Sequence, residues 1–219
     1  MEPRQNHVHA VQFYKDAGSL SDRVATFLAD GLKSGHPGLI VATSAHAAAI
    51  SRALENIGVD VSEVRKTGEL QILDARKLLS AFMVGHQPDA LLFKSNVGDV
   101  IERMCLGRTP CPIRVYGEMV DVLWREGNSD GAIRLEILWN QLASAYDFAL
   151  LCGYAVGHFY KETRDSRYDD VCDQHTHVLA PAHLPGQGSP RVHLPKHGRT
   201  IGHDESGRRD VARHRSGRA

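Results

Sequence analysis

The sequence predicts an α/β domain of three layers, in which a mainly parallel central sheet of about five strands lies between helices. Three observations predict this class. Short apolar runs alternate along the chain with segments of helical periodicity. The segments between strands are long enough to hold helices, as crossover connections between parallel strands require. The run 38–43 is continuously apolar and rich in β-branched residues, which is typical of a strand covered on both faces.

The first two strand–helix units have clear boundaries. Alternating apolar residues predict a strand over 9–14. Helical spacing follows it, and Ser19 is the expected cap of the first helix. After the apolar strand 38–43, Ser44 is the expected cap of a second helix, which ends at Gly58.

The rest of the domain continues this alternation. A third strand precedes a helix that Gly85 and Pro88 terminate, and a longer helix ends before two further prolines. The elements predicted from residue 68 onward are strand 68–74, helix 78–83, helix 89–106, strand 113–116, helix 120–125, helix 131–145, strand 148–154 and a short helix over 168–178.

Composition indicates a globular protein with a substantial core. The chain has 219 residues, a mass of 24.1 kDa and 42% hydrophobic residues. It contains no apolar run of the roughly 18 residues that a membrane span needs, and its N-terminus has no apolar signal segment. A cytoplasmic location without a membrane partner is therefore expected. The cysteines are too few and too irregular for a disulfide framework, so reduced thiols are expected at Cys105, Cys111, Cys152 and Cys172.

Residues 182–219 differ in composition from residues 1–181. They contain eight Lys or Arg residues against three acidic residues, so this tail carries +5 and the remainder −5. The tail has no aromatic residue, and its isolated apolar positions bury too little surface to offset chain entropy. We therefore predict a folded domain over 1–181 and a disordered basic tail over 182–219. A solvated tail is favoured over one that binds nucleic acid or an acidic partner.

Ligands of open parallel sheets bind beyond the carboxyl ends of the strands. The loop 15–19 follows the first predicted strand, but it has one glycine and no Lys followed by Ser or Thr, and its Asp16 would repel phosphate. Nucleotide hydrolysis is therefore not expected, no cofactor is predicted, and an ordinary capped helix start explains the loop better. The residues expected at the carboxyl edge are Tyr14 to Ser19, Thr43 to His46, Asp74, Glu118 and Tyr154.

Three side chains near the predicted edge have alternative roles. Glu118 ends a predicted strand, where a carboxylate can hydrogen-bond to a ligand, bind a metal or act as a base. It is equally consistent with a glutamate at a helix N-terminus, where the helix dipole favours it. Cys152 is expected to be a small core residue rather than a nucleophile, because no sequence neighbour would lower its pKa. Tyr154 is expected to be a core residue whose polar tip has a partner.

One local cluster of potential metal ligands occurs near the end of the domain. The motif Cys172-x-x-His175-x-His177 contains three such side chains, and His7 and His9 offer two more. The spacing matches no closed zinc pattern with a second half. The sequence therefore predicts a helix-end cluster that faces solvent or packs on the body, and no metal site.

Several short motifs together resemble the MEDS sensory domain, the DcmR-type sensory module that lies upstream of histidine kinases, PAS domains and regulators in bacteria and archaea. Each motif is weak alone, but together they follow the family's order over roughly residues 7–181. The motifs are His9-x-x-x-Phe13-Tyr14, Phe27-Leu28-x-x-Gly31-Leu32, Val41-Ala42-Thr43-x-x-His46, Leu54-x-x-x-Gly58-Val59-Asp60, Leu73-Asp74-Ala75, Phe82-Met83, Arg114-Val115-x-Gly117-Glu118-Met119, Leu123-Trp124-x-x-Gly127, Leu135-Glu136-x-Leu138-Trp139-Asn140-x-Leu142, Leu151-Cys152-x-Tyr154 and Cys172-x-x-His175.

The resemblance implies a RecA-like core, related to clock-type ATPases but without their phosphate-binding loop. It implies sensing of a small hydrocarbon derivative and transfer of the signal to a protein such as a histidine kinase or a transcription regulator. This chain departs from the family in its C-terminus, where only the basic tail follows the domain. The polar positions that the resemblance implies as ligand-binding residues are His9, Tyr14, Glu118, Asn140, Cys152, Tyr154 and His175.

The sequence thus favours a non-enzymatic cytoplasmic sensor that binds a small, partly apolar ligand at the carboxyl edge of its sheet. In this hypothesis Glu118 and His9 anchor the ligand and Tyr14 and Tyr154 form walls. The helix that bears residues 135–142 moves or presents the signalling face.

Two alternatives stay open at this point. The first is an enzyme in which Glu118 is the base and Cys152 the nucleophile, acting on a small organic compound. The second is a residual nucleotide-binding or partner-docking module. Neither alternative calls for nucleic acid as a partner, and the sequence leaves the ligand and the oligomeric state open.

Overall fold

The computed structural model describes residues 8–158 and 167–179. The strands are β1 (His9–Tyr14), β2 (Gly38–Ala42), β3 (Leu70–Asp74), β4 (Met83–Val84), β5 (Gln87–Pro88), β6 (Ile113–Gly117), β7 (Phe148–Ala155) and β8 (His177–Leu179). The helices are α1 (Ala17–Lys33), α2 (Ser44–Asn56), α3 (Val61–Lys66), α4 (Ala75–Phe82), α5 (Ala90–Met104), α6 (Met119–Arg125), α7 (Ser129–Leu142) and α8 (Arg167–Asp173).

Six of the strands form one parallel sheet in the order β3-β2-β6-β7-β1-β8. The strands β4 and β5 form a separate antiparallel hairpin. The predicted class, a three-layer α/β fold with a mainly parallel sheet, is confirmed, although the sheet has one strand more than the about five expected. The additional strand, β8, lies at the edge beside β1.

Alternate residues of each strand face two different helix layers. On one face, Ile40 and Tyr116 lie in an apolar cluster with residues of α1, α2 and α3. On the other face, Val41 and Val115 lie in a larger cluster with residues of α4, α5, α6, α7 and α8. All five residues of β2 are buried. This complete burial is the reason that the strand is continuously apolar.

The carboxyl ends of the parallel strands meet at one edge of the sheet, which we call the carboxyl edge. Four helices begin there, because α1, α2, α4 and α6 follow β1, β2, β3 and β6 with at most two residues between. Side chains in these short connections therefore lie close together, although they are far apart in sequence.

The C-terminal part of the described chain differs from the prediction. The helix expected over 168–178 ends at Asp173, and the chain then enters β8. Thr176 aligns the two strands, because its backbone N–H donates to the carbonyl of His9 at 2.7 Å and its Oγ1 accepts from the His9 N–H at 3.0 Å. Pairing with the open edge of β1 satisfies backbone groups that a longer helix would leave unpaired.

The start of α1 also differs in detail from the prediction. Asp16, rather than Ser19, is the capping residue. The Asp16 carboxylate accepts the Ser19 backbone N–H and the Ser19 hydroxyl, each at 2.8 Å. An acidic side chain therefore occupies the helix N-terminus, where a phosphate-binding loop would hold its anion.

The cysteines correct the expectation of four reduced thiols. Cys105 and Cys111 form a disulfide whose Cα atoms are 5.6 Å apart. The loop after α5 folds back and brings them together, which the sequence alone does not indicate. Cys152 and Cys172 are free thiols.

Two further predictions concern extent and environment. The basic tail over 182–219 and His7 lie outside the described residues, so the expectation of a disordered tail stays a prediction. Among the helices of the described ranges, none combines the length and the apolar character that crossing a bilayer requires.

Candidate functional site

The seven predicted site residues fall into two polar clusters. The edge cluster lies at the carboxyl edge and consists of Tyr14, Thr43, His46, Glu118, Asp121 and Arg125. The core cluster lies between the sheet and α7 and consists of His9, Glu136, Asn140, Cys152, Tyr154 and His175. The structure thus brings five of the seven predicted residues together and places Tyr14 and Glu118 in the other cluster.

Glu118 is the centre of the edge cluster. It follows β6 directly, is fully buried, and accepts hydrogen bonds from Thr43 through the backbone N–H at 2.9 Å and the hydroxyl at 3.1 Å. Nδ1 of His46, on the first turn of α2, lies 2.9 Å from Glu118 Oε1. This contact raises the pKa of His46 against the opposing effect of burial. The carboxylate therefore links the ends of two neighbouring strands.

A second buried carboxylate, Asp121, lies one turn into α6. Its Oδ1 accepts the N–H of Ala155 at 3.0 Å, and its Oδ2 accepts the hydroxyl of Tyr14 at 3.1 Å and an ion pair from Arg125. Burial raises the pKa of Asp121, while the Ala155 N–H and Arg125 oppose that change. Asp121 therefore ties α6 to the ends of both β1 and β7.

A cavity of about 410 Å³ lies between α4, the β4–β5 hairpin and α6, the helix that also carries Asp121 and Arg125 of the edge cluster. Its volume falls within the range of about 300–1,000 Å³ that small-molecule sites occupy. Its apolar wall consists of Leu79, Met83, Val122 and Leu123. Polar groups at the rim are Arg76, Ser80, His86, Glu126 and Asn128, and Arg76 forms an ion pair with Glu126.

In the core cluster, the ring of His9 is held at both nitrogens. Nδ1 lies 2.8 Å from Asn140 Oδ1, and the Asn140 amide is oriented by donation from Nδ2 to the carbonyl of Gln174 at 2.9 Å. Because an amide oxygen only accepts, Nδ1 of His9 carries a proton. Burial and the neighbouring His175 lower the pKa of His9, against the opposing effect of Glu136. The other ring nitrogen, Nε2, faces the rest of the cluster. That atom lies 3.4 Å from Cys152 Sγ and 3.2 Å from Glu136 Oε2.

His175 contacts the other oxygen of the same carboxylate, and its ring lies next to that of His9. Its Nδ1 donates to the carbonyl of Val171 at 2.7 Å, and its Nε2 lies 3.4 Å from Glu136 Oε1. Tyr154 donates to Glu136 Oε1 at 2.9 Å, and the Cys152 thiol donates to Oε2 at 3.3 Å. Glu136 is thus the residue around which the predicted residues are arranged.

The charges of the core cluster follow from burial. Burial disfavours ionisation of Glu136, but His175 and His9 outweigh it and lower the pKa of Glu136 well below its usual range. Burial and the Glu136 carboxylate both raise the pKa of the Cys152 thiol and that of the Tyr154 hydroxyl. The cluster thus combines two imidazoles, a carboxylate and a thiol, which are the donor groups that transition metals prefer.

The sequence prediction missed Glu136 and Asp121 as site residues. A signal for Glu136 is present, since it lies four residues before Asn140 and therefore on the same face of α7. That face also carries the buried Leu135 and Trp139, so a charged residue there is buried and needs partners. Asp121 carries the same signal, because it interrupts an otherwise apolar stretch of α6.

Comparison with known proteins agrees with the fold. A KaiC-like protein from the hyperthermophilic archaeon Pyrococcus horikoshii OT3 has a similar structure, with a TM-score of 0.55 and 14% sequence identity. The similarity covers 87% of this chain and 80% of that chain. At this identity it shows the fold alone, which is RecA-like, as the motifs imply. No curated protein matches the sequence.

The family comparison confirms the resemblance found in the motifs. The profile of the MEDS domain, described as MEthanogen/methylotroph, DcmR Sensory domain, matches residues 8–176. These residues include both polar clusters and all the strands of the sheet except β8. The chain belongs to the MEDS family of sensory domains.

Proposed function

We propose that this chain is a non-enzymatic sensor in which a small, partly apolar, hydrocarbon-derived ligand binds beside the carboxyl edge. Ligand binding then changes the domain's interaction with a signalling protein, such as a histidine kinase or a transcription regulator, in a bacterial or archaeal pathway. Membership of a sensory family supports the general role. The observation that carries the specific proposal is the position of α6 between the cavity and the edge cluster.

The helix α6 contributes residues to both structures. Val122, Leu123 and Glu126 line the cavity. Asp121 and Arg125, on a neighbouring face of the same helix, form the ion pair of the edge cluster. A ligand that shifts α6 by a fraction of an ångström changes the distances from this ion pair to Tyr14 and Ala155 on the neighbouring strands, because a seven-residue helix moves as one body.

The chemistry of the cavity fits a ligand with a short hydrocarbon part and one polar group. Four aliphatic or thioether side chains provide the apolar wall, and the Arg76–Glu126 pair and Asn128 lie at its rim. The apolar wall would remove the hydrocarbon part of the ligand from water. The polar group of the ligand would form hydrogen bonds with the side chains at the rim in place of water.

The relay from α6 has two routes into the sheet. Asp121 contacts the ends of β1 and β7 through Tyr14 and Ala155. The buried Glu118 precedes α6 directly and holds Thr43 and His46 at the end of β2. A change in α6 thus reaches three strands, and we propose that a partner protein detects this change on the surface of the domain.

Burial of Cys152 favours a sensor over an enzyme. Its sulfur is fully buried and its pKa is raised, so the reactive thiolate is disfavoured. Cys152 contacts His9 and Glu136, whereas Glu118 contacts Thr43 and His46, so the proposed base and nucleophile lie in different clusters. Against nucleotide binding, Asp16 occupies the N-terminus of α1.

A thermal-shift screen tests the proposal. The full chain would be heated with short-chain alcohols, aldehydes, carboxylic acids and halogenated alkanes, and a binding compound would raise the Tm by an amount that grows with the ratio of its concentration to its Kd. In Ser80→Trp, a large ring on the exposed surface of α4 would fill the cavity mouth and abolish the shift.

Ser95→Trp is the matched control for this substitution. Ser80 and Ser95 are both exposed helical serines whose hydroxyls donate three residues back, to Lys77 and Leu92. Ser95→Trp should keep the full shift, since Ser95 lies on α5 away from the cavity. A shift that survives Ser80→Trp, or no shift with any compound class, would remove the cavity from the proposal.

A further inference from the structure

Four side chains with metal-binding atoms converge in the core cluster. They come from four separate places in the fold: His9 from β1, Glu136 from α7, Cys152 from β7 and His175 after α8. Their ligand atoms all lie within 4.8 Å of one another, and each residue is at most 3% exposed. This convergence is independent of the cavity and of the edge cluster.

The ligand atoms of His9, Cys152 and Glu136 have the separations expected around one small ion, and His175 lies close to them. Bonds of about 2.0–2.3 Å to nitrogen, oxygen and sulfur place neighbouring ligands of a tetrahedral ion about 3.3–3.6 Å apart. The observed separations are 3.4 Å from His9 Nε2 to Cys152 Sγ, 3.2 Å from His9 Nε2 to Glu136 Oε2 and 3.3 Å from Cys152 Sγ to Glu136 Oε2. His175 Nε2 lies 3.4 Å from the other carboxylate oxygen.

The donor atoms also have the orientation that a metal requires. Each imidazole donates from Nδ1 to an oxygen that only accepts, namely Asn140 Oδ1 for His9 and the Val171 carbonyl for His175. Nε2 of each ring is therefore the nitrogen left to bind an ion in the cluster. Nε2 of His175 is buried and lies 3.4 Å from Glu136 Oε1, a contact that does not meet the geometry of a hydrogen bond, and a buried polar atom without a hydrogen bond is costly.

The surroundings resemble the outer shell of a metal site. Carboxylates and carbonyl oxygens behind ligating imidazoles fix the tautomer and the ring orientation, and ligating carboxylates are themselves hydrogen-bonded. Here Asn140 and the Val171 carbonyl orient the two rings, and Tyr154 donates to Glu136.

We propose that His9, Glu136, Cys152 and His175 form a binding site for one divalent transition-metal ion of the zinc class. Two nitrogens, one sulfur and one oxygen suit zinc better than magnesium or calcium, which prefer oxygen alone. Binding would release the Cys152 proton to solvent. The ion would also fasten the segment 167–179 to the sheet, because His175 is the ligand from that segment.

This inference departs from the sequence prediction of no metal site, and the departure has a simple cause. The sequence shows Cys172, His175 and His177 together, whereas in the fold only His175 of these three enters the core cluster. Cys172 is half-buried elsewhere, and His177 lies exposed in β8. The other three ligands are distant from His175 in sequence, so a search for a local motif does not find them.

Titration of the full chain with Co²⁺ under anaerobic conditions tests the site. Tetrahedral cobalt bound to a thiolate gives a sulfur-to-metal charge-transfer band and intense visible bands, and Zn²⁺ should displace it. We expect one equivalent in the wild type and loss of the charge-transfer band in Cys152→Ser. Cys172→Ser, the matched control, should keep the band.

The histidines supply a second pair of variants. His175→Gln should weaken Co²⁺ binding at least about 100-fold, beyond the loss of about 10–100-fold that outer-shell substitutions cause. His177→Gln, two residues away and exposed, should leave the affinity unchanged. Ser80→Trp should also leave it unchanged, so this test succeeds or fails independently of the proposed ligand cavity.

Several outcomes would overturn the site. Cobalt that binds without the charge-transfer band would be held by histidines, such as those of the cysteine-free tail, and not by Cys152. A charge-transfer band that persists in Cys152→Ser would also overturn the site, and so would a folded wild type that binds no cobalt. If Cys152→Ser does not fold, the wild type alone tests the site. Saturating Zn²⁺ should raise the Tm of the wild type, and a chelator should reverse this rise. An unchanged Tm would contradict the site.

Discussion

Two fully buried carboxylates at the carboxyl edge, Glu118 and Asp121, are the residues with the most consequence for function. Burial of a carboxylate costs several kcal/mol unless its partners are well placed. Both have partners that reach toward solvent, since the side chains of His46 and Arg125 are 12% and 37% exposed. The cations are therefore the accessible half of each pair, and a ligand or a partner protein can compete for them.

His46 should make stability depend on pH. Glu118 raises the folded-state pKa of His46 above its ordinary 6.5. A raised pKa stabilises the fold fully below the unfolded-state value, and this contribution is lost as pH rises through the raised folded-state value. We expect His46→Gln to lower the free energy of unfolding by up to about 1 kcal/mol at pH ~5.5 and by much less at pH ~8.5. Chemical denaturation at both pH values measures this.

The counterpart of this variant is Glu118→Gln, which keeps the side-chain shape but removes the charge. In that background the ionised carboxylate no longer raises the pKa of His46, so the same histidine substitution should have nearly equal effects at both pH values. If His46→Gln destabilised the otherwise unchanged chain more at high pH than at low pH, the assignment of the Glu118–His46 pair would be contradicted.

The two free cysteines should react at different rates. Cys152 is fully buried and its pKa is raised, whereas Cys172 is half-buried with a pKa raised to about 11. Brief treatment of the native chain with iodoacetamide, followed by mass spectrometry, should label Cys172 at least about tenfold faster, because Cys152 reacts only after local opening. Denaturant should make the two rates similar, and native labelling of Cys152 first would support the enzymatic alternative.

At the scale of elements, β1 and β7 connect the two polar clusters. β1 carries His9 at its start and Tyr14 at its end, and the neighbouring β7 carries Cys152 and Tyr154 and ends at Ala155. His9 and Cys152 belong to the core cluster, and Tyr14 and the Ala155 N–H belong to the edge cluster. The geometry of these two strands therefore fixes the distance between the clusters.

A glycine in β7 tests how tightly the strands that carry the clusters are packed. A Cβ on Gly153 would lie 2.8 Å from the hydroxyl of Tyr116, a fully buried side chain that has little room to move. Gly153→Ala should therefore lower the free energy of unfolding by about 1–3 kcal/mol. Denaturation with urea at constant pH measures the loss.

The control for this substitution is Gly117→Ala in the neighbouring strand. Gly117 pairs with Cys152, and a Cβ there would meet the nearest atom, of Leu150, only at 3.7 Å. Its substitution should cost less than about 1 kcal/mol. Equal losses for the two variants would show that chain entropy or strand propensity, and not the contact with Tyr116, determines the effect.

At the scale of the whole molecule, the C-terminal end of the described chain packs against its N-terminal strand. The chain leaves the sheet after β7 and returns with α8 and β8, which adds an edge strand beside β1. The return of this segment places His175 in the core cluster and Val171 in the apolar core. Whatever follows residue 179 in the chain is thus connected directly to a segment that contacts the first strand.

The closing segment should open before the rest of the sheet. β8 has three residues and pairs on one side only, so few hydrogen bonds oppose its release. In native-state hydrogen exchange we expect amides of 177–179 to have protection factors at least about tenfold lower than those of β6. β3, the five-residue strand at the opposite edge, is the control for edge position. Equal protection of β8 and β6 would show that the segment is an integral part of the core.

The sequence by itself determined the layers of this protein and most of its elements. Apolar periodicity specifies which side of each strand or helix is buried, and that information is local. The parallel sheet follows from the helical crossovers, and the absence of a phosphate-binding loop follows from the residues around Asp16. Likewise the motifs around Glu118 and Trp139 were sufficient for the family.

Tertiary structure alone decided which polar residues meet. The sequence identified His9, Cys152 and His175 but missed Glu136, the carboxylate that joins them, and it placed Glu118 with His9 although they occupy different clusters. It also missed the disulfide between Cys105 and Cys111 and the strand β8. The physical reason is that periodicity encodes burial, whereas the partner of a buried polar group depends on strand order and helix packing, which bring distant residues to within hydrogen-bonding distance.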